Sequence, residues 1–188
     1  MIPSHPIRHL LTVAAMAALA LPAGAADDNA TSEPAKPVLV EVGGLVFTAA
    51  APWSAKPEPR PMSQASLTYT STGEGIDPLE ADFYYFGAGQ GGTAEANVAR
   101  WKGQFQGEPQ LETEILKFGD KEVTLVHITG TYLSGAMFGP KTPLDKHALL
   151  GVIAPGKDAP VFIKMTGTEE SVAGAKDALE KLVASAYE

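Results

Sequence analysis

The chain has 188 residues, no cysteine and a formal net charge of −8. The lack of cysteine excludes thiol nucleophiles, cysteine-based zinc sites and dithiol redox chemistry. Nucleic acids and anionic lipid surfaces are bound through clustered lysine and arginine, so the acidic balance disfavours both as partners.

Residues 1–25 have the pattern of a cleavable secretory signal. A cationic start containing Arg8 precedes an apolar run at residues 10–21, and a small-residue exit ends at Ala25. The run of 12 residues is shorter than the roughly 20 residues that cross a bilayer core, so it is not a membrane anchor. We expect cleavage after Ala25, a periplasmic or secreted product, and no membrane span after signal cleavage.

Residues 26–36 predict a flexible spacer, because they contain no large apolar side chain that could offset the entropy of ordering them. Residues 37–188 are then expected to form a single domain, in line with the usual ~100–200 residues per domain. Its first strands are predicted at residues 38–42 and 45–49, joined through a Gly-Gly dipeptide that is typical of hairpins.

The middle of the chain predicts a connector, strands and a helix. Three prolines between residues 57 and 61 indicate an extended surface connector, and a strand follows at about residues 66–71. Residues 82–86 are aromatic on both faces, which favours a central strand. After a glycine-rich segment, Thr93 is suited to cap a helix over residues 94–105, whose apolar stripe would be Ala94, Val98, Trp101 and Phe105.

The remaining elements indicate the fold class. Further strands are predicted at residues 111–118, 122–133, 147–154 and 161–166, and a final helix at residues 168–186. The class is therefore α+β, with a mainly antiparallel sheet of about six to eight strands packed by two or more helices. Residues 134–146 predict a long loop, whose centre at Met137 and Phe138 is either an exposed contact element or a cover over the sheet.

Several short motifs resemble those of a group of uncharacterised secreted bacterial proteins. The matching residues are Trp53 after a proline, Pro61-Met62, residues 85–92 (YFGAGQGG), Asn97, Arg100-Trp101 and Lys164-Met165-Thr166-Gly167. The order of elements over most of residues 38–187 also resembles PsbP-like α/β/α sandwiches. The resemblance to the first group implies no particular activity. PsbP-like domains generally act as assembly or accessory factors, so this resemblance implies a non-catalytic role.

The glycine-rich segment is the main candidate site. It contains Gly87, Gly89, Gln90, Gly91 and Gly92 directly before the predicted helix, where backbone N–H groups and the helix dipole attract an anion. Asn97 and Arg100 lie one and two turns into that helix and could reach the same ligand. The dinucleotide and phosphate-loop fingerprints are absent. The alternative is a tight strand-to-helix turn that needs glycine for its backbone conformation.

The other candidate functional residues, four aromatic side chains and two histidines, are indicated less clearly by the sequence. Tyr84, Tyr85, Phe86 and Trp101 could line a groove, although their spacing is that of core residues. His127 and His147 lie in predicted strands without neighbours at the spacing of a metal site or a general base. The sequence therefore predicts no cofactor, no metal site and no catalytic residue.

Three hypotheses follow from these patterns. The leading one is an exported, non-catalytic accessory or binding domain that contacts an unknown protein partner or a small ligand in the cell envelope. The second is a small anionic-ligand binder that uses residues 87–92 and the start of the following helix. The third is a hydrolase with His127 or His147 as its base.

Overall fold

The computed structural model describes residues 36–71, 73, 76–136 and 138–188. The predicted signal at residues 1–25 lies outside this part of the chain, as do residues 26–35 of the predicted spacer and Met137 of the predicted loop. Within the described residues, no helix has both the length and the apolar character needed to cross a membrane.

A two-stranded hairpin opens the described chain. Strands β1 (Val38–Val42) and β2 (Leu45–Ala49) pair antiparallel, and φ is +59° at Gly43 and +78° at Gly44. Both glycines therefore take the left-handed conformation that a two-residue hairpin turn of this kind requires. The predicted hairpin is confirmed.

Seven further strands form one antiparallel sheet in the order β3-β4-β5-β9-β8-β7-β6. Their bounds are β3 Trp53–Ala55, β4 Ala65–Tyr69, β5 Leu79–Tyr84, β6 Phe105–Phe118, β7 Lys121–Ser134, β8 Thr142–Pro155 and β9 Pro160–Thr168. Helix α1 (Ala94–Lys102) joins β5 to β6, and helix α2 (Glu169–Ala184) follows β9. The predicted α+β class, with an antiparallel sheet of six to eight strands, is confirmed.

Helix α1 is shorter than the sequence predicts. It ends at Lys102 rather than at residue 105, because Phe105 begins β6 and pairs with Tyr132 of β7. The two rings are 5.3 Å apart. Phe105 therefore joins the same apolar cluster as Trp101, but it does so from a strand.

The predicted loop at residues 134–146 is shortened by strand at both ends. Strands β7 and β8 pair as far as Ser134 and Thr142, which leaves residues 135–141 as the connection. Pro143 lies beyond the end of β9, whose last pair joins Thr168 to His147, so this proline is tolerated near an edge. Phe138 is 98% exposed, in line with the exposed alternative for this tip.

The two faces of the sheet are covered unequally. Helix α2 and the β1–β2 hairpin cover one, the α2 face, and the helix buries the predicted stripe of Val172, Ala175, Leu179, Leu182 and Val183 there. The opposite side, the α1 face, holds a smaller buried cluster that includes Trp101 and Phe162. Helix α1 has nine residues, so it is only about 14 Å long. Parts of β5 and β9 beside it stay partly exposed.

Helix α1 rests on the backbone of β8. A methyl group at Gly151 would lie 2.3 Å from Cζ3 of Trp101, so we expect Gly151→Ala to push the indole away and to lower the free energy of unfolding by about 1–3 kcal/mol. Gly174→Ala in α2 is the control, because nothing lies within 4 Å of the added methyl. It is expected to be neutral or to stabilise by up to about 1 kcal/mol. Equal losses in urea unfolding would contradict the packing argument.

Candidate functional site

The glycine-rich segment is a turn between β5 and α1. The backbone φ is positive at Gly87, Gly89, Gly91 and Gly92, and the Gln90 N–H donates to the Gly87 carbonyl at 3.1 Å. At Gly91 a Cβ would also lie 3.0 Å from the Phe162 ring and 3.2 Å from the Phe86 ring. Glycine is therefore required here both for backbone conformation and for close packing.

Asn97 holds this turn against the helix. Its buried Nδ2 donates to the Gly91 carbonyl at 2.7 Å and to the Thr93 carbonyl at 2.8 Å. Its Oδ1 accepts a hydrogen bond from Nη1 of Arg100 at 3.0 Å. Asn97 thus positions the turn and Arg100.

The first turn of α1 is occupied by its own side chains. The Thr93 hydroxyl accepts from the Ala96 N–H at 3.2 Å. Hydrogen bonds from its own backbone N–H and from the Thr93 side chain lower the pKa of the Glu95 carboxyl. An external anion at this helix start would therefore compete with the Glu95 carboxylate.

A groove of about 240 Å³ opens on the α1 face beside this turn. Its lining residues come from the proline-rich connector, from β5 and the segment after it, from α1 and from β9: Pro61, Met62, Tyr84, Phe86, Asn97, Arg100, Trp101, Phe162 and Lys164. A shallow depression lined by Gln90, Gly91 and Gly92 adjoins it and shares Phe86 and Arg100. The described chain thus has a concave site where α1 leaves β5 and β9 uncovered.

Ion pairs fix the connector wall of the groove. The buried Asp82 carboxylate accepts from Oγ of Ser66 at 2.6 Å and pairs with Nε of Arg60 at 2.9 Å. Glu80 binds Nη2 of Arg60 at 2.9 Å and Nζ of Lys56 at 2.5 Å. These contacts tie residues 56–60 to β5 and place Pro61 and Met62 at the groove.

Met62 has an unusual backbone conformation at the rim. The Ser63 N–H donates to the Arg60 carbonyl at 3.0 Å, and φ of Met62 is +71°. With Pro61 in the second position, these are the features of a type II turn, whose third position usually holds glycine. Met62 is 72% exposed. The strained position therefore presents an apolar side chain at the groove mouth.

Lys164 lies at the groove with neutral hydrogen-bond partners. Its Nζ donates to Oε1 of Gln104 at 2.5 Å and to the Tyr132 hydroxyl at 3.2 Å. Burial, and then the positive charges of Arg60 and Lys141, lower the pKa of Lys164 to about 8, while Asp82 opposes this shift. No carboxylate of the described chain lies within ion-pair distance of its ammonium.

Aromatic side chains form the apolar part of the groove. The Tyr84 and Phe86 rings are nearly parallel, 14° between planes and 6.4 Å between centroids, and Phe86 lies 6.0 Å from Phe162. Burial, followed by the negative charge of Asp82, raises the pKa of Tyr84 to about 12. Its hydroxyl therefore stays protonated at neutral pH and can donate a hydrogen bond.

The structure brings together only part of the residue set taken from the sequence. Gln90, Gly91, Gly92, Asn97 and Arg100 line the groove or the adjoining depression, whereas Gly87 and Gly89 line neither. The contributions of Phe162 and Lys164 were missed. Lys164 belonged to a motif of the resemblance, but nothing local to its sequence places it opposite α1.

His127 and His147 do not line this groove. The buried Nε2 of His127 has no hydrogen-bond partner, and Nδ1 of His147 lies 2.9 Å from the Asp145 carbonyl. Within the described residues, neither ring makes a hydrogen bond to a Ser, Asp or Glu side chain. The hydrolase hypothesis requires a nucleophile hydrogen-bonded to a histidine base, and the described residues contain no such arrangement at His127 or His147. Among the residues that the structure describes, no group of three or more His, Cys, Asp or Glu side chains is placed to hold a metal ion.

Comparison with known proteins finds distant likenesses of fold. No protein-family model matches the chain, and no curated protein is similar to it. The chain is similar to cyanobacterial PsbP (CyanoP) from Synechocystis sp. PCC 6803, with 13% identity, a TM-score of 0.47, and coverage of 82% of this chain and 94% of that one. It is also similar to LpqN, involved in cell envelope biogenesis of Mycobacterium tuberculosis, with 15% identity, a TM-score of 0.39, and coverage of 81% and 83%. At these values the likeness carries no argument about function.

Lys164 should make stability depend on pH. Because its pKa is lowered from 10.5 to about 8, the unfolded chain binds more protons at this amine between these pH values, and stability from this group rises with pH. We expect Lys164→Met to raise the free energy of unfolding below pH 8 by on the order of 1–3 kcal/mol. This advantage over the unsubstituted protein should shrink as the pH approaches 10.5.

Urea unfolding across this pH range measures the difference. The exposed Lys102→Met on α1 is the control and should show no such pH-dependent difference. An advantage of Lys164→Met that stays constant with pH would show that the amine is not destabilised by burial.

Proposed function

We propose that this chain is an exported, non-catalytic binding domain whose ligand site is the groove between residues 60–63 and α1. The observation that carries the proposal is the pair of cations at the groove, Arg100 and Lys164. Their hydrogen-bond partners are the neutral side chains of Asn97, Gln104 and Tyr132. The chain has a net charge of −8, yet these two cations have no carboxylate partner among the described residues. Such cations beside a concave apolar surface are typical of a ligand site.

The groove is favoured over the narrower hypothesis of an anion held by residues 87–92 alone. Thr93 and Glu95 already serve the helix start. The carbonyl of Gly91 is bound by Asn97. Arg100 borders both the groove and the depression at Gly91 and Gly92, so a ligand of the groove can still extend toward the glycine-rich turn.

Export is supported by the tripartite pattern of residues 1–25. We expect the mature protein to begin at residue 26 and to be recovered from the periplasmic or culture fraction. Mass spectrometry of the native protein measures this directly. An intact N-terminus carrying the apolar run of residues 10–21 would contradict cleavage.

The groove predicts a specific effect of Arg100. We expect small molecules that raise the melting temperature of the protein to lose most of that effect in Arg100→Ala, because the guanidinium borders the site. The unliganded melting temperature should fall somewhat in Arg100→Ala, because the buried Oδ1 of Asn97 loses its hydrogen bond from Arg100, so the ligand-induced shift is measured against each variant's own unliganded value. The matched control is Lys102→Ala, an exposed cation on the same helix that does not line the groove.

A panel of small organic anions, cations and neutral compounds, screened by thermal shift, supplies the ligands for this test. Compounds whose stabilisation is equal in Arg100→Ala and Lys102→Ala bind elsewhere. If every stabilising compound behaves in that way, the groove is not the binding site.

A further inference from the structure

We propose that the groove binds a small, flat aromatic monocarboxylate, whose ring lies against Phe86 and Phe162 and whose carboxylate faces the donors Arg100, Lys164 and Tyr84. This inference rests on the proposed function and adds the chemical class of the ligand. It follows from the size of the groove, the sign of its polar groups and the shape of its apolar surface.

The groove itself has room for about one ring with a short side chain. Its volume is about 240 Å³, below the roughly 300–1,000 Å³ of sites for drug-sized molecules. An apolar cavity of about 150 Å³ is known to hold benzene. The groove therefore has room for a benzene-sized ring and a few further atoms.

The polar groups that point to this ligand are donors. Arg100 and Lys164 can only donate, and the Tyr84 hydroxyl, a neutral phenol at physiological pH, can donate as well. The lining residue with an acceptor amide, Asn97, already uses its Oδ1 for Arg100 and its Nδ2 for two backbone carbonyls. The nearby carboxylate of Asp82 is engaged by Ser66 and Arg60. A ligand with a negatively charged acceptor therefore complements the groove.

The apolar surface favours a flat ring. Phe86 is 40% exposed, while Phe162 beneath it is buried. The turn backbone at Gly91 packs closely against both rings and holds them in place beside the groove. Aromatic rings pack best on other rings in offset or edge contacts, so a planar ligand gains more here than a bulky saturated one.

A substitution at Met62 can separate a contact with the ligand from a contribution to folding. Its left-handed backbone suits glycine better than methionine, so Met62→Gly should retain the fold. The exposed thioether side chain at the groove mouth would be lost, and with it an adaptable apolar contact to the ligand ring. A residue of purely structural importance would show the opposite behaviour, with impaired folding and no separate effect on affinity.

The experiment measures binding of four probes to the purified exported protein by isothermal titration calorimetry. The probes are phenylacetate, its neutral isostere phenylacetamide, its saturated analogue cyclohexylacetate, and acetate. We expect phenylacetate to bind most tightly and phenylacetamide to bind about 10- to 100-fold more weakly, because the amide lacks the charge that strengthens the hydrogen bonds. Cyclohexylacetate and acetate should also bind more weakly than phenylacetate.

Variants then show where the probe binds. Met62→Gly and Lys164→Met should each weaken phenylacetate binding by about tenfold, whereas Lys102→Met should leave it unchanged. If phenylacetamide or cyclohexylacetate binds as tightly as phenylacetate but loses affinity in Met62→Gly, the ligand class is wrong and the groove stands. If phenylacetate binds with unchanged affinity in Met62→Gly, Lys164→Met and Arg100→Ala, both the ligand class and the proposed site are wrong. No detectable binding of phenylacetate overturns the ligand class.

Discussion

The contact between the Trp101 indole and the backbone of Gly151 sets the position of α1 on the sheet. Because no side chain stands between them, the helix lies close to β8, and Trp101 is buried against the cluster that contains Phe162. A helix of nine residues placed there leaves part of β5 and β9 uncovered. The groove exists because this short helix is held close to one part of a wide sheet.

Asp82 and Lys164, two oppositely charged neighbours in the sheet, do not form an ion pair with each other. Asp82 and Lys164 are directly opposite each other in the β5–β9 register. The Asp82 carboxylate nevertheless bonds Ser66 and Arg60, which secures the proline-rich connector to β5. Lys164 bonds neutral Gln104 and Tyr132 instead. The ion pair that secures one wall of the groove thus leaves Lys164, which also lines the groove, without a carboxylate partner among the described residues.

Much of the fold was predictable from local patterns. The Gly43-Gly44 hairpin, the capping Thr93, the apolar stripe of α2 and the antiparallel class all follow from spacing and turn chemistry. The end of α1 was not predictable from the sequence, because Phe105 fits both a helical stripe and a strand that pairs with Tyr132. The outer part of β8 was missed because Pro143 and the polar residues after it have the character of a loop, and only pairing with β7 makes them strand.

By itself the sequence determined the composition, the export-like start, the class of fold and the glycine requirement before α1, since these depend on residues that are near one another in the chain. It also identified Arg100 and Asn97 as polar groups on that helix. Only the tertiary structure decided that the Asn97 side chain is hydrogen-bonded to the turn. It also decided that Arg100 shares a groove with Met62 and Lys164. The physical reason is that these residues come from the connector, α1 and β9, and sheet order and helix packing bring them together.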